Sequence, residues 1–183
     1  QIVEVNSAIG GTGSWLGAFR LKNDVLEQHP DLVIVEFAVN DGGSLEEQVH
    51  ASMEGIVRQI WKANAKTDIL FVYTLVKGHM DDFGKGVIPS RMQWHEKIAA
   101  HYNIPSVNMA LYSAEKITAA KMPFEEFARD NVHPTDKGYA MYLESLIPFV
   151  ERCKGAPNAG PQDHSMPAPF TEKAMVKAQL VSY

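Results

Sequence analysis

Asp130 and His133 stand three residues apart in the segment DNVHPTDKGY (130 to 139), and Pro134 fixes the backbone directly after the histidine. That spacing lets one carboxylate orient an imidazole and stabilise its protonated form, which a general base in acyl transfer requires. The same residues also suit a turn, with Asp130 as a capping residue beside a surface histidine. Metal binding has less support, because no second His or Cys lies nearby at ligand spacing.

Two further segments could act on a reacting carbonyl. AVND (38 to 41) ends an apolar run in Asn40. A side-chain amide is neutral and fixed in geometry, so Asn40 could donate to a developing oxyanion. It could equally cap the next helix or shape a turn. NSAIGGTGSW (6 to 15) carries three glycines after an apolar, β-branched run. Gly11 could offer a bare backbone N–H to the same oxygen; a tight connection with no ligand is the alternative. Ser14 is the best internal candidate for a nucleophile, although its place at the start of a helix suits an N-cap better. Ser7, Ser44 and Ser113 have less support. Arg20 could face the site or pair with Glu36, and a solvated or structural role fits it better.

These residues need a scaffold. Residues 1 to 6 read as a strand, and 14 to 28 as a helix stopped by His29-Pro30. Residues 31 to 39, DLVIVEFAV, are almost continuously apolar, which suggests a strand covered on both faces. Residues 45 to 62 follow the helical period through Leu45, Val49, Met53, Ile56, Val57, Ile60 and Trp61. Strands are expected at 68 to 75 and 104 to 109, and helices at 89 to 102, 111 to 120 and 135 to 152, with Pro148 kinking or dividing the last. Strands alternating with helices indicate βαβ units around a parallel sheet, a three-layer α/β/α sandwich. In such sheets ligands bind beyond the carboxyl ends of the strands, where all three segments fall.

Residues 1 to 153 read as one domain. Residues 154 to 183 are rich in Pro, Gly and polar residues and read as a linker or surface-wrapping tail, with FTEKAMVKAQLVSY as the possible start of a further segment. The 183 residues are 45% hydrophobic and 21% charged, enough for a substantial core. A net charge of −5 gives no sign of a nucleic-acid partner, and no apolar run reaches membrane-spanning length. The single Cys153 excludes an internal disulfide framework.

Together, the three segments resemble the SGNH hydrolase family, also called GDSL-type esterases and lipases, over roughly residues 1 to 152. The resemblance implies a flavodoxin-like α/β/α sandwich. AIGGTGS looks like the glycine block, with Gly11 as an oxyanion donor. AVND looks like the Asn block, with Asn40 as the second donor. DNVH matches the last block, with His133 as base and Asp130 as its orienter. Ala38 stands where the family usually has Gly. The nucleophile block is absent: in the family it precedes the glycine block by several tens of residues, at the end of the first strand. The resemblance therefore implies a serine, strand and helix upstream of Gln1 or on another chain, and an inactive 183-residue piece. It also implies acyl transfer with no metal or organic cofactor. The segments IGGTGSWLGAFRL and VEFAVND resemble bacterial members linked to carbohydrate deacetylation. With no long apolar lid segment, the expected substrate is a short acyl ester, acetyl in particular, on a sugar. Two other readings stay open: a non-catalytic carbohydrate-binding module on the same fold, and a flavodoxin-like domain binding phosphate or nucleotide at residues 10 to 14.

Overall fold

The computed structural model describes residues 2–157 and 160–180. Its elements run α1 (Ser14–Asp24), β1 (Leu32–Val35), α2 (Glu46–Ala63), β2 (Asp68–Val72), α3 (Met80–Gly84), α4 (Ser90–Tyr102), β3 (Ser106–Val107), α5 (Met109–Ala119), α6 (Phe124–Phe127) and α7 (Asp136–Lys154). Single 3-10 turns lie at Leu26–Gln28, Asn40–Gly43 and Lys77–His79. The strands form one parallel sheet in the order β1-β2-β3, with Val35 opposite Phe71 and Val72 opposite Val107. Helical crossovers join parallel neighbours, as βαβ geometry demands.

The side-chain alternation of the strands sorts the helices into two layers. His95 of α4 lies against the rings of Phe71 and Tyr73, at centroid distances of 6.4 and 6.1 Å. The face carrying Val33, Val35, Ile69 and Phe71 therefore meets α4 and α2, and α1 packs on α2. The other face carries Ile34, Leu70 and Val72. Beyond β1 it is covered by α7, which packs on β3 and α5, and whose Tyr142 hydroxyl accepts the Leu75 N–H at 2.6 Å. This three-layer arrangement is the expected α/β/α sandwich.

The expected helices form where the apolar period places them, except that the one expected over 14 to 28 ends at Asp24 and gives way to a 3-10 turn at Leu26–Gln28; α2 is the clearest. Val49, Met53, Ile56, Val57 and Ile60 are all buried along one stripe. At its start, Gln48 Oε1 accepts the Leu45 N–H at 3.1 Å. Helix α7 begins where the Thr135 hydroxyl accepts the Gly138 N–H. Pro148 does not divide it; the helix continues to Lys154. Proline removes one hydrogen bond there, but Leu146 and Phe149 on either side are packed against the core and hold the axis.

The strand expectations need correction: β2 stops at Val72 rather than residue 75, β3 keeps only Ser106–Val107 of the expected 104 to 109, and the two remaining runs differ more. Residues 2 to 6 form no strand, and Ile2, Val3 and Val5 are exposed. The sheet ends at β1, which pairs only with β2, and this β-prone segment does not add to that open edge. The run 31 to 39 is a strand only over Leu32–Val35 and is buried on one face, with Leu32 and Ile34 51% and 53% exposed. It occupies the sheet edge, where the second face lacks cover.

Residues 160 to 180 contain no helix or strand yet lie firmly on the domain. His164 stacks on Trp61 with centroids 4.9 Å apart, Met175 N–H donates to Ala51 O at 2.9 Å, and Leu180 N–H donates to Phe19 O at 3.1 Å. Gly55 makes room: a Cβ there would sit 2.8 Å from Met175 Cβ. Beneath the tail, the fully buried Glu54 accepts the N–H groups of Phe170 and Thr171 at 2.6 and 2.8 Å, and the Tyr102 hydroxyl. Among the described residues no helix is long and apolar enough to cross a membrane.

Candidate active site

The glycine turn and the Asn40 turn are joined by one carboxylate. Gly11 has φ +73°, a conformation that favours glycine, and a Cβ there would meet nothing within 4 Å. Its requirement is therefore conformational rather than steric. Two residues on, Gly13 is the N-cap of α1 and makes no side-chain cap bond. The cap comes instead from Asp41, whose Oδ1 accepts the Ser14 N–H at 2.8 Å. A Cβ on Gly13 would lie 2.5 Å from that oxygen, so glycine lets the carboxylate approach. The other oxygen, Oδ2, lies 2.9 Å from His95 Nε2.

This arrangement corrects the expected N-cap role of Ser14, which is the first helical residue rather than the cap. Its hydroxyl is buried 2.6 Å from Ser52 Oγ, and Ser52 in turn donates to Gln48 O at 2.9 Å. Asn40, by contrast, is exposed at the start of its 3-10 turn, and its amide has no hydrogen bond among the described residues. Ala38 is buried and is not among the positive-φ residues, so alanine fits where the family pattern has glycine.

On the loop before α7, Asp130 Oδ2 lies 2.6 Å from His133 Nδ1. Its Oδ1 accepts the N–H groups of His133 and Val132 at 2.7 and 3.0 Å. The bond from the His133 ring, followed by these two backbone bonds, holds the carboxyl well below the usual aspartate range. Asn131 takes φ 70° to close the turn, and its carbonyl accepts the Lys77 N–H at 2.9 Å. The His133 side chain is 78% exposed, and Nε2 has no partner among the described residues.

Asn40 follows β1, and Lys77, which anchors the His133 loop, follows β2. The glycine turn is tied to Asp41. All three segments therefore share the rim at the carboxyl ends of the strands.

Other charged groups lie outside these three segments. Burial pushes the Glu36 carboxyl up, opposed by bonds from the Val39 N–H and Thr74. Arg20 pairs with Asp24 at 2.5 Å and donates to Ser7 O at 3.1 Å. The sequence reading missed His95. Its signal was a histidine three residues from both Met92 and Ile98, on the buried face of α4. Arg91, also missed, donates to Gly42 O and lies over the Trp94 ring. A cleft of about 360 Å³ opens beside the rim, lined by Ser14, Trp15, Ser44, Gln48 and Ser52. A larger hollow of about 730 Å³ lies between α5 and α7, away from these residues.

A model of the GDSL-like lipase/acylhydrolase family matches residues 1–141. The chain belongs to that family. A two-domain esterase active on acetylated mannans resembles this GDSL-family chain at 31% identity, with TM-scores of 0.77 and, when co-crystallised with mannopentaose, 0.74. The match covers 92% of the present chain but only 43% and 42% of the two esterase structures, so this chain spans less than half of that protein. A GDSL-like lipase from Parabacteroides merdae shares the fold at 18% identity and a TM-score of 0.59, covering 74% of this chain and 68% of its own. An acetyl esterase variant solved with acetate does so at 13% identity and 0.53, covering 78% and 68%. No curated protein sequence matches the chain.

Proposed function

We propose that this GDSL-family protein is a serine ester hydrolase that removes short acyl groups, acetyl in particular, from a carbohydrate. The observation that carries this reading is the Asp130–His133 pair. A carboxylate bonded to Nδ1 at 2.6 Å fixes the ring and leaves Nε2 to exchange a proton. His133 takes the proton of a serine hydroxyl as its oxygen attacks the ester carbonyl. The Gly11 N–H, the Asn40 amide and the serine's own N–H hold the oxyanion. The sugar oxygen leaves with the proton from His133, and water then hydrolyses the acyl-enzyme by the reverse transfers. The substrate class is supported by the mannan esterase at 31% identity and by the absence of a long apolar lid segment in the sequence.

The nucleophile is assigned to a strand–helix unit beside β1, upstream of Gln1 or on a partner chain. Leu32 and Ile34 lie uncovered on the α5–α7 face of the sheet. On α7, Glu144 meets Tyr112 and Lys116 of α5, and Tyr139, Leu143, Ile147 and Val150 form an exposed stripe on another side of the helix. A strand against β1, followed by a helix against this stripe, would bury both surfaces. Its strand end would bring a serine to the rim. The burial of Ser14 also supports the second reading, a non-catalytic carbohydrate-binding module, should no such serine exist.

The deciding experiment is hydrolysis of p-nitrophenyl acetate, and acetate release from acetylated mannan, by the protein carrying its upstream sequence. His133→Ala is expected to lower turnover at least a thousandfold, and undiminished turnover rejects the proposed base. Residues 1 to 183 alone should show none.

A further inference from the structure

We propose that the cleft beside the first turns of α1 and α2 is a sugar subsite, in which one pyranose ring stacks on Trp15 and hydrogen-bonds to Gln48 and Ser44. The inference deepens the carbohydrate-esterase reading and rests on it. Trp15 is 57% exposed, although it is the second residue of a helix whose first residue is buried. An indole presents a large, rigid face with a polar N–H at its edge, a combination that suits a ligand contact. The ring is also braced. Phe19, one turn on, meets it edge-on with centroids 4.8 Å apart and planes at 64°. An indole held this way loses little freedom when a ligand covers it.

The rest of the cleft is polar and uncharged. Its volume of about 360 Å³ lies within the range of small-ligand sites, about 300–1,000 Å³. At its base the Ser14 and Ser52 hydroxyls bond each other. On its wall Gln48 Oε1 is occupied by the Leu45 N–H, but Gln48 Nε2 and Ser44 Oγ have no hydrogen bond among the described residues. No lysine or arginine lines it, which disfavours a phosphate or carboxylate ligand. A pyranose fits this chemistry. One of its faces presents weakly positive C–H groups, which match the negative face of an indole, and its rim carries hydroxyls for Gln48 and Ser44.

Position links the cleft to the reaction. Ser14 directly continues the glycine turn, and Ser44 directly follows the 3-10 turn that starts at Asn40. A sugar on Trp15 thus sits next to both oxyanion donors, and the subsite selects the alcohol side of the ester.

The test uses the protein with its upstream sequence. Trp15→Ala is expected to raise KM on an acetylated manno-oligosaccharide at least tenfold more than on p-nitrophenyl acetate. Gln48→Ala should do so to a smaller degree, and Trp15→Phe should recover most of the loss. Independently of turnover, unacetylated mannopentaose should bind saturably by calorimetry. That binding should weaken at least tenfold in Trp15→Ala at an unchanged melting temperature. Equal KM ratios, or equal mannopentaose binding in wild type and Trp15→Ala, overturn the subsite. Trp15-dependent binding without any ester hydrolysis keeps the subsite and removes the esterase reading.

Discussion

His95 and Asp41 are each 1% exposed and meet at 2.9 Å, while the same carboxylate takes the Ser14 amide at 2.8 Å. One side chain thus sets the spacing between the turn that carries Gly11 and the turn that carries Asn40. Asp41→Ala would leave a buried imidazole and a helix-terminal N–H unpaired. Orphaned buried groups cost about 1–3 kcal/mol each, so a loss on the order of 3 kcal/mol is expected in urea denaturation. Asp41→Asn, which keeps one acceptor, should lose less.

The proposed oxyanion donors and the proposed base separate by their effects. Removing one such donor typically costs about 2.7–4 kcal/mol of transition-state stabilisation, so Asn40→Ala should lower kcat roughly 10²–10³-fold with little change in stability. Gly11→Ala meets no atom but forces a left-handed conformation, at a cost of about 1–2 kcal/mol in stability. Steady-state kinetics beside thermal denaturation distinguish the two.

Asp130→Asn should lower kcat by roughly 10³–10⁴, because an amide no longer fixes the His133 tautomer. Its stability effect should be small at so exposed a site. The sign with pH follows from the depressed carboxyl. Its contribution is present above the unfolded aspartate value, near 3.9, and is lost as pH falls through the lower folded value. Denaturation midpoints of wild type and Asp130→Asn should therefore converge in strong acid.

Glu36 behaves in the opposite sense. Burial raises its folded value, so the protonated form favours folding, and that advantage fades as pH rises from near 4.3 through the folded value. Glu36→Gln keeps an acceptor for the Val39 N–H and carries no charge. It is expected to stabilise the protein at neutral pH and flatten its stability profile, measured as urea midpoints between pH 4 and 8.

Glu54 anchors the tail through two backbone N–H groups. Glu54→Ala should release residues 160 to 180 and speed tryptic cleavage at Lys173 and Lys177 at least tenfold. Mass-spectrometric time courses would record it.

The helices were legible because their apolar period is set by burial on one stripe, as in Val49, Met53 and Ile56. The Asp130–His133 contact was legible because the two residues interact over three positions of one loop. What escaped depends on distant contacts. Asp41 caps a helix that starts 27 residues earlier, a relation no local pattern records. The strand expected at residues 1 to 6 had the right composition, but composition supplies no neighbouring strand. The aperiodic tail revealed nothing of its contacts with Ala51, Gly55 and Trp61.

The tail has a further consequence for how the molecule is made. Its final described contact, Leu180 to Phe19, ties the tail back to α1. During synthesis, Gly55 and Glu54 wait uncovered until residues 164 to 180 leave the ribosome. A nascent chain stalled earlier would display a buried-type carboxylate and a bare helix groove, the kind of surface that chaperones recognise.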